Sequence, residues 1–268
     1  MNTFEIEEGK IGMGTLLRGL IFDVDGTIAD TELTGHLPAF NQAFEQHGIP
    51  IIWSVEEYRE LYRFPSGLER IRYELAKIRH DDVPSERFMR EVHRTKTNIY
   101  QQRLRDGLVP LRPGVGRLLR EAHLAGIKLG IVTTSRADSA RILIQIHMGN
   151  SSLSWFDVIL GEEDGYPLKP NPEMYLKALD IMELSPHHVV AVEDSAAGVK
   201  AARKALLPTL ITVNEFTRTQ DFDGGLAILE NLGEKNRPAR RWDSKDSSDS
   251  GVVVTLPWIE EQLQNLHN

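Results

Sequence analysis

Leu20-Ile21-Phe22-Asp23-Val24-Asp25-Gly26-Thr27 is the stretch from which the fold can be read. A short apolar run ends in two aspartates one residue apart, then a glycine and a hydroxyl. Such a run, closed by a glycine turn, predicts a buried strand. Its carboxylates then sit at the carboxyl end, where open α/β sheets hold their ligands. Oxygen donors of this kind suit a hard cation such as Mg²⁺. A strand of this type cannot satisfy its backbone or bury its side chains alone, so the rest of the chain must supply a sheet.

That sheet is predicted beyond Pro110. Helical spacing at Val115, Leu118, Leu119 and Ala122 leads to a strand over 127–132, closed by Thr133-Thr134-Ser135. A helix over 138–146, a strand over 156–160 and a helix over 171–182 follow. A third strand at 189–192 ends in Glu193-Asp194-Ser195. A helix over 196–206 and a strand over 209–213 complete the series. Strand and helix in alternation predict a parallel sheet covered on both faces.

Between 31 and 108 the periodicity is helical throughout. Leu37, Phe40, Phe44 and His47 share one face, and Val55, Tyr58, Leu61 and Tyr62 another. Leu68, Ile71, Leu75 and Ile78 make a third stripe, and Phe88, Val92, Thr95 and Ile99 a fourth. Gly48-Ile49-Pro50, Phe64 to Gly67 and His80 to Pro84 are the expected breaks. The expected organisation is therefore a Rossmann-like core at 16–30 plus 109–232, with a four-helix unit inserted at 31–108. An exposed loop at 233–251, rich in Arg, Lys, Asp and Ser, and a C-terminal extension at 252–268 complete it. The extension is read as a short strand over 252–255 and a helix over 257–266, packed on the core.

Composition narrows the function. The chain has 268 residues, 41% of them hydrophobic, a net charge of −8 and no cysteine. The absence of cysteine excludes thiolate nucleophiles, disulfides and Cys-ligated zinc. No basic face points to nucleic acid, and no apolar run approaches a membrane span. Residues 1–19 lack the pattern of a secretory signal. The expectation from composition is a cytoplasmic protein without nucleic acid or membrane partners.

Asp23 and Asp25 alone could be a solvated strand end. Two later strands also end in reactive side chains, Thr133 with Ser135 and Glu193 with Asp194, and Lys169 stands before a helix among Pro170 and Pro172, a rigid place for a lysine. Phosphoryl transfer needs a nucleophile, cationic stabilisation of phosphoryl oxygens, a hydrogen-bond donor and a proton carrier. Every role has a candidate. Ser195 reads as a helix N-cap, and Gly198 as a residue that permits close helix packing.

These motifs resemble the haloacid dehalogenase superfamily, in its phosphatase branch with a helical cap. Asp23 to Thr27 resembles the first signature, Thr133 the second, Lys169-Pro170 the third and Glu193 to Gly198 the fourth. All occur in order over 18–232. Within the superfamily the chain is most similar to CbbY-like proteins, sugar-bisphosphate phosphatases linked to xylulose-1,5-bisphosphate. Ala29-Asp30-Thr31-Glu32, Gly35-His36, Glu69-Arg70-Ile71, Lys96-Thr97 and Leu111-Arg112-Pro113-Gly114-Val115 carry that likeness.

The resemblance implies Asp23 as nucleophile, Asp25 as general acid and base, Thr133 as a phosphoryl hydrogen-bond donor and Lys169 as the neutralising cation. It implies Mg²⁺ held by Asp23, the Asp25 backbone carbonyl, Glu193 and Asp194. Glu32, His36, Arg70, Lys96, Thr134, Ser135 and Arg136, with Arg63, are the candidates for binding substrate. One position departs from the pattern: CbbY-like proteins usually carry a lysine where this chain has Leu68, which removes a cation from the cap loop. The nearest rival is a phosphomutase of the β-phosphoglucomutase type. A dehalogenase proper, a phospho-receiver domain and a silent binding protein are more distant ones.

Overall fold

The computed structural model describes residues 16–64, 66–78, 84–222, 224–242 and 251–267. The first strand, β1 (Gly19–Phe22), is buried along its whole length. Side chains alternate across a strand, so Leu20 and Phe22 enter one apolar cluster while Ile21 enters another on the opposite face. The continuous apolar run reflects this two-sided burial.

β1 is the third strand of a six-stranded parallel sheet. The others are β2 (Lys128–Val132), β3 (Phe156–Leu160), β4 (Val189–Glu193), β5 (Thr209–Thr212) and β6 (Ala227–Leu229), in the order β3-β2-β1-β4-β5-β6. The chain leaves β1 toward β2 on one side and leaves β4 toward β5 on the other. A crevice therefore opens between the carboxyl ends of β1 and β4, the topological switch point at which α/β sheets bind ligands. Phe22 is in register with Val192 and with Ile131, which sets Asp23 beside Glu193 and one residue short of the level of Thr133.

Helices α1 (Leu37–Gln46), α2 (Val55–Leu61), α3 (Gly67–Ile78) and α4 (Glu86–Arg105) follow β1. Their stripes meet in a separate cluster that includes Phe40, Phe44, Trp53, Tyr58, Ile71, Leu75 and Val92. Ser54 and Glu57 close α2 with a reciprocal capping box, and Ser85 caps α4 through the Phe88 amide. A π-helical turn, Glu32–His36, leads into α1. The fold is thus α/β with cap helices, as the alternating and helical patterns predict.

The remaining helices cover the sheet: α5 (Val115–Leu124), α6 (Ala137–Met148), α7 (Glu173–Met182), α8 (Ala196–Lys204) and α9 (Leu256–His267). α9 buries Ile259 and Leu263 in the cluster that holds Phe22, and its Glu260 accepts from the Leu16 and Leu17 amides at 2.7 and 2.8 Å. Among the described residues no helix is long and apolar enough to cross a membrane.

Three local expectations change. The strand predicted at 252–255 is a single bridge, Val252 to Ala239, because α9 begins at Leu256 and leaves no room for a ladder. β6, three residues long, lies in the short apolar run Leu226 to Leu229, which no strand expectation covered. The described part of 233–251 is exposed at 235–238, yet Ala239 is buried and exchanges two backbone hydrogen bonds with Val252, at 2.8 and 2.7 Å. The serine- and aspartate-rich 246–250, most of the break expected at 80–84, Pro65 and the residues before 16 lie outside the described residues, as does the side chain of Ile78.

Candidate active site

Strand geometry assembles the centre of the site. Asp23, the first residue past β1, donates its amide to the Val192 carbonyl at 3.0 Å and so stays in register as the sheet ends. Glu193 ends β4, and Asp194 follows it. One oxygen from each of Asp23, Glu193 and Asp194 lies within 4.8 Å of the others, and all three residues are buried. Lys169 arrives from the loop before α7 and is itself only 4% exposed at its side chain. Its ammonium donates to Asp23 Oδ1 at 2.6 Å, Glu193 Oε1 at 2.7 Å and the Val132 carbonyl at 2.8 Å.

Two carboxylates, Asp23 and Glu193, therefore share one ammonium in a buried space, with the Asp194 carboxylate beside them. Burial pushes the Asp23 carboxyl up to about 7, against the pull of Lys169 and with the push of Glu193 and Asp25. Asp194 is driven well above the carboxylate range, by burial first and then by Asp23 and Glu193, with Arg112 opposing. Lys169 loses to burial but is raised on balance by its two carboxylates. Glu193 Oε2 is a buried oxygen with no hydrogen-bond partner. An orphaned carboxylate oxygen, all-oxygen donors and an excess of negative charge fit a hard divalent cation. Asp23, Glu193 and Asp194 are the side chains that could hold it.

Backbone approach is as tight as the charge. α8 runs so close to Glu193 that a Cβ on Gly198 would stand 1.9 Å from Glu193 Oε2. The expectation of close packing at Gly198 thus becomes specific: the neighbour is a carboxylate rather than a helix. Ser195 caps α8 by accepting from the Gly198 amide at 3.1 Å. At Gly26, where φ is +82°, a Cβ would meet Asn214 Nδ2 at 2.4 Å and Asp194 Oδ2 at 2.5 Å.

Asp25 faces a second set of groups. Its Oδ2 accepts a short hydrogen bond from the Ser135 hydroxyl, and its Oδ1 lies 3.6 Å from His36 Nε2. His36 Nδ1 is 2.9 Å from Lys96 Nζ, and the imidazole lies over Tyr100 at 3.9 Å between centroids. Burial would raise the Asp25 carboxyl, but the nearby His36 and the hydrogen bond from Ser135 outweigh it and hold Asp25 below the usual carboxylate range. Lys96, buried over the Phe40 ring, is pulled down to about 8 by desolvation, with Glu32 opposing. Thr133 is buried at the end of β2 and its hydroxyl accepts from the Ser135 amide at 3.1 Å.

Glu32 and Arg70 meet through Tyr58. The phenol donates to Glu32 Oε2 at 2.5 Å and accepts from Arg70 at 2.6 Å, and the Arg70 to Glu32 separation is 3.7 Å. Arg136, Thr134 and Arg63 are not brought into these clusters. Arg136 is exposed and pairs with Asp138 at 3.3 Å, Thr134 is exposed, and Arg63 lies over the Phe64 and Tyr73 rings. Leu68 packs against the apolar cluster of the cap helices.

Four partners of the site were given no role by sequence reasoning. Asn214 donates to Asp194 Oδ2 at 2.6 Å, Thr27 to Asp194 Oδ1 at 3.3 Å, and Tyr175 to Glu193 Oε1 at 2.5 Å. Arg112 gathers the carbonyls of Gly26, Thr212, Val213 and Glu230. Asn214 could have been found by treating every polar residue just past a strand as a candidate, since it follows Val213.

The family model described as haloacid dehalogenase-like hydrolase matches residues 20–212. Protein CbbY of Cupriavidus necator is 36% identical over 237 residues, covering 84% of this chain and 93% of that protein. The crystal structure of CbbY from Rhodobacter sphaeroides in complex with phosphate matches with a TM-score of 0.70 and 35% identity, covering 80% of this chain and 94% of that one. A mutant of the same CbbY, in complex with xylulose-(1,5)bisphosphate, matches with a TM-score of 0.69 at 35% identity and the same coverage.

Proposed function

We propose that this chain, which belongs to the haloacid dehalogenase-like hydrolase family on its CbbY-like phosphatase branch, is a Mg²⁺-dependent phosphatase of a small sugar phosphate or sugar bisphosphate. Xylulose-1,5-bisphosphate is the leading candidate, since a CbbY relative is known with that compound bound. The observation that carries the reading is the buried Asp23–Glu193–Asp194 cluster bridged by Lys169 at the switch point of the sheet.

In this mechanism Asp23 attacks phosphorus, the bond to the sugar oxygen breaks, and an aspartyl-phosphate forms. Lys169, already on Asp23 Oδ1, offsets the charge shared by the nucleophile and the phosphoryl oxygens, and Thr133 donates its hydroxyl to one of them. Asp25 carries the proton that goes to the leaving alcohol, then removes a proton from the water that hydrolyses the intermediate. As placed it is ionised, the form that the second step needs, so the first step requires that it take up a proton before the attack. When bound, Mg²⁺ supplies charge neutralisation at the phosphoryl oxygens; Asp23, the Asp25 carbonyl, Glu193 and Asp194 would hold it.

Substrate selection falls to residues 31–108, taken as the cap, with 16–30 and 109–232 as the core. Glu32, His36, Arg70 and Lys96 form its polar face, and Ser135 joins them from the core. Thr134 and Arg136 would have to turn inward to take part. The enzyme is expected to act in the cytoplasm as a monomer. A phosphate-release screen with Mg²⁺ over sugar phosphates, sugar bisphosphates, phosphoglycolate and nucleotides tests the proposal. Preferred turnover of a sugar phosphate or bisphosphate is expected, and no turnover of any member would overturn it. Glucose 6-phosphate formed from β-glucose 1-phosphate faster than inorganic phosphate would identify a mutase instead.

A further inference from the structure

One segment of the sheet domain reaches into the helices of 31–108. The apolar cluster of those helices draws its buried members from 37–92, with a single addition, Phe216, from the loop after β5. Phe216 is 5% exposed. Its ring meets Tyr58 edge-on at 5.7 Å and lies 5.6 Å from Tyr62. Beside it, Glu215 pairs with Arg59 of α2 and with Arg218 of its own loop. Tyr58 is the phenol that joins Glu32 to Arg70, so the tip of this loop packs on the residue that links two members of the polar face assigned to substrate.

The base of the same loop holds the acidic cluster. The Phe216 amide donates to Asn214 Oδ1 at 2.9 Å. That bond fixes which way the Asn214 amide faces, and its Nδ2 then donates to Asp194 Oδ2 at 2.6 Å and to the Gly26 carbonyl at 3.3 Å. Asn214 is held further by its own amide, which donates to Thr217 Oγ1 at 3.1 Å. Gln220, at the far end, accepts from the Ala196 amide at 2.7 Å. One loop thus touches the cap helices at Phe216 and Glu215, Asp194 at Asn214, and the first turn of α8 at Gln220.

We propose that residues 214–220 are a latch: Phe216 and Glu215 hold the cap helices on the sheet, while Asn214 acts as a positioning residue for Asp194. Seating of the cap and alignment of the Asp194 carboxylate are then coupled events. The bond from the Phe216 amide to Asn214 is the physical link, since moving Phe216 out of the aromatic cluster moves the donor that orients the Asn214 side chain. Coupling of this kind is a free energy shared between two contacts and can be measured from either end. The metal-dependent half of the inference rests on the Mg²⁺ reading above; the structural half does not.

Two measurements on the full chain test it, both independent of turnover. Hydrogen exchange of the metal-free protein reads the loop and α8, and melting with Mg²⁺ alone as titrant reads the acidic cluster. In Phe216→Ala, exchange at 194–198 is expected to quicken about tenfold, and the Mg²⁺ half-saturation to rise about fivefold or more. Phe216→Leu should recover most of both. Asn214→Ala should raise the half-saturation about 10- to 100-fold and, by the same coupling, quicken exchange over 55–75. A folded Phe216→Ala protein that loosens over 55–75 but keeps the original exchange at 194–198 and the original half-saturation overturns the latch, because Phe216 would then be packing alone. Should Phe216→Ala not fold, Glu215→Gln reads the same two quantities from a half-exposed position, and no change in either has the same meaning. If the unsubstituted chain shows no Mg²⁺ response, the metal reading fails, while exchange at 194–198 still decides the latch.

Discussion

Replacing Lys169 by methionine should expose the electrostatic design of the site without disturbing its packing. The two side chains have similar length and volume, so the loss is confined to charge and hydrogen bonds. Lys169 donates to Asp23, Glu193 and the Val132 carbonyl at 2.6–2.8 Å, and the side chains of the two carboxylates are 9% and 0% exposed. Removing one partner from such a buried pair costs about 3–5 kcal/mol. The pH dependence gives the sharper signature. Asp23 has a folded value raised to about 7, so its contribution to stability is full below the unfolded value and is lost as pH rises through about 7. Above that pH the unsubstituted protein loses nothing more on this account. In Lys169→Met the folded value rises further, and the loss continues at about 1.4 kcal/mol per pH unit. Urea unfolding with EDTA at pH 7, 8 and 9 measures the gap between the two proteins. A gap of about 3–5 kcal/mol at pH 8 that widens with pH is expected. A gap below about 1 kcal/mol, or one equal at pH 7 and 9, would refute the reasoning.

Other outcomes follow from the same geometry. Because Asp23 is raised to about 7 and Asp194 well above its ordinary range, protons should compete with metal, so Mg²⁺ should raise the melting temperature more at pH 8 than at pH 5.5; an equal rise at both would argue against these carboxylates as ligands. Gly198→Ala places a Cβ 1.9 Å from Glu193 Oε2, and should lose about 1–3 kcal/mol in urea unfolding together with a weaker Mg²⁺ response. Leu68→Lys should lower KM for a sugar bisphosphate about tenfold through a charge-assisted hydrogen bond, leaving KM for the monophosphate unchanged. Steady-state kinetics on the two substrates would show whether the selectivity moves.

The parts of this molecule visible in the sequence were those encoded locally. Leu20-Ile21-Phe22 and the run at 189–192 are apolar because both faces of each strand are covered, and the polar residues that end them mark the site. The cap stripes at Phe40, Phe44, Ile71 and Leu75 obey helical spacing and are buried as that spacing requires. What was not visible depends on approach between distant segments. Arg112 gathers four carbonyls from three places along the chain, and nothing in the residues beside it states that it will. Phe216 is one aromatic residue in a loop, with no periodicity to say which cluster it enters. Arg136, a candidate for binding substrate, precedes helix α6 at Ala137, and its guanidinium pairs with Asp138, a contact that the residue types alone did not announce.

The central claim is that Asp23 is the nucleophile of a phosphatase. Phosphate release by Asp23→Asn, with Mg²⁺ and the best substrate of the screen, tests it most directly, since the change keeps the shape of the side chain and removes its charge. Release at the level of the uncatalysed control is expected, from a protein that still melts cooperatively. An Asp23→Asn protein, purified free of other phosphatases, that releases phosphate at the unsubstituted rate would contradict the account.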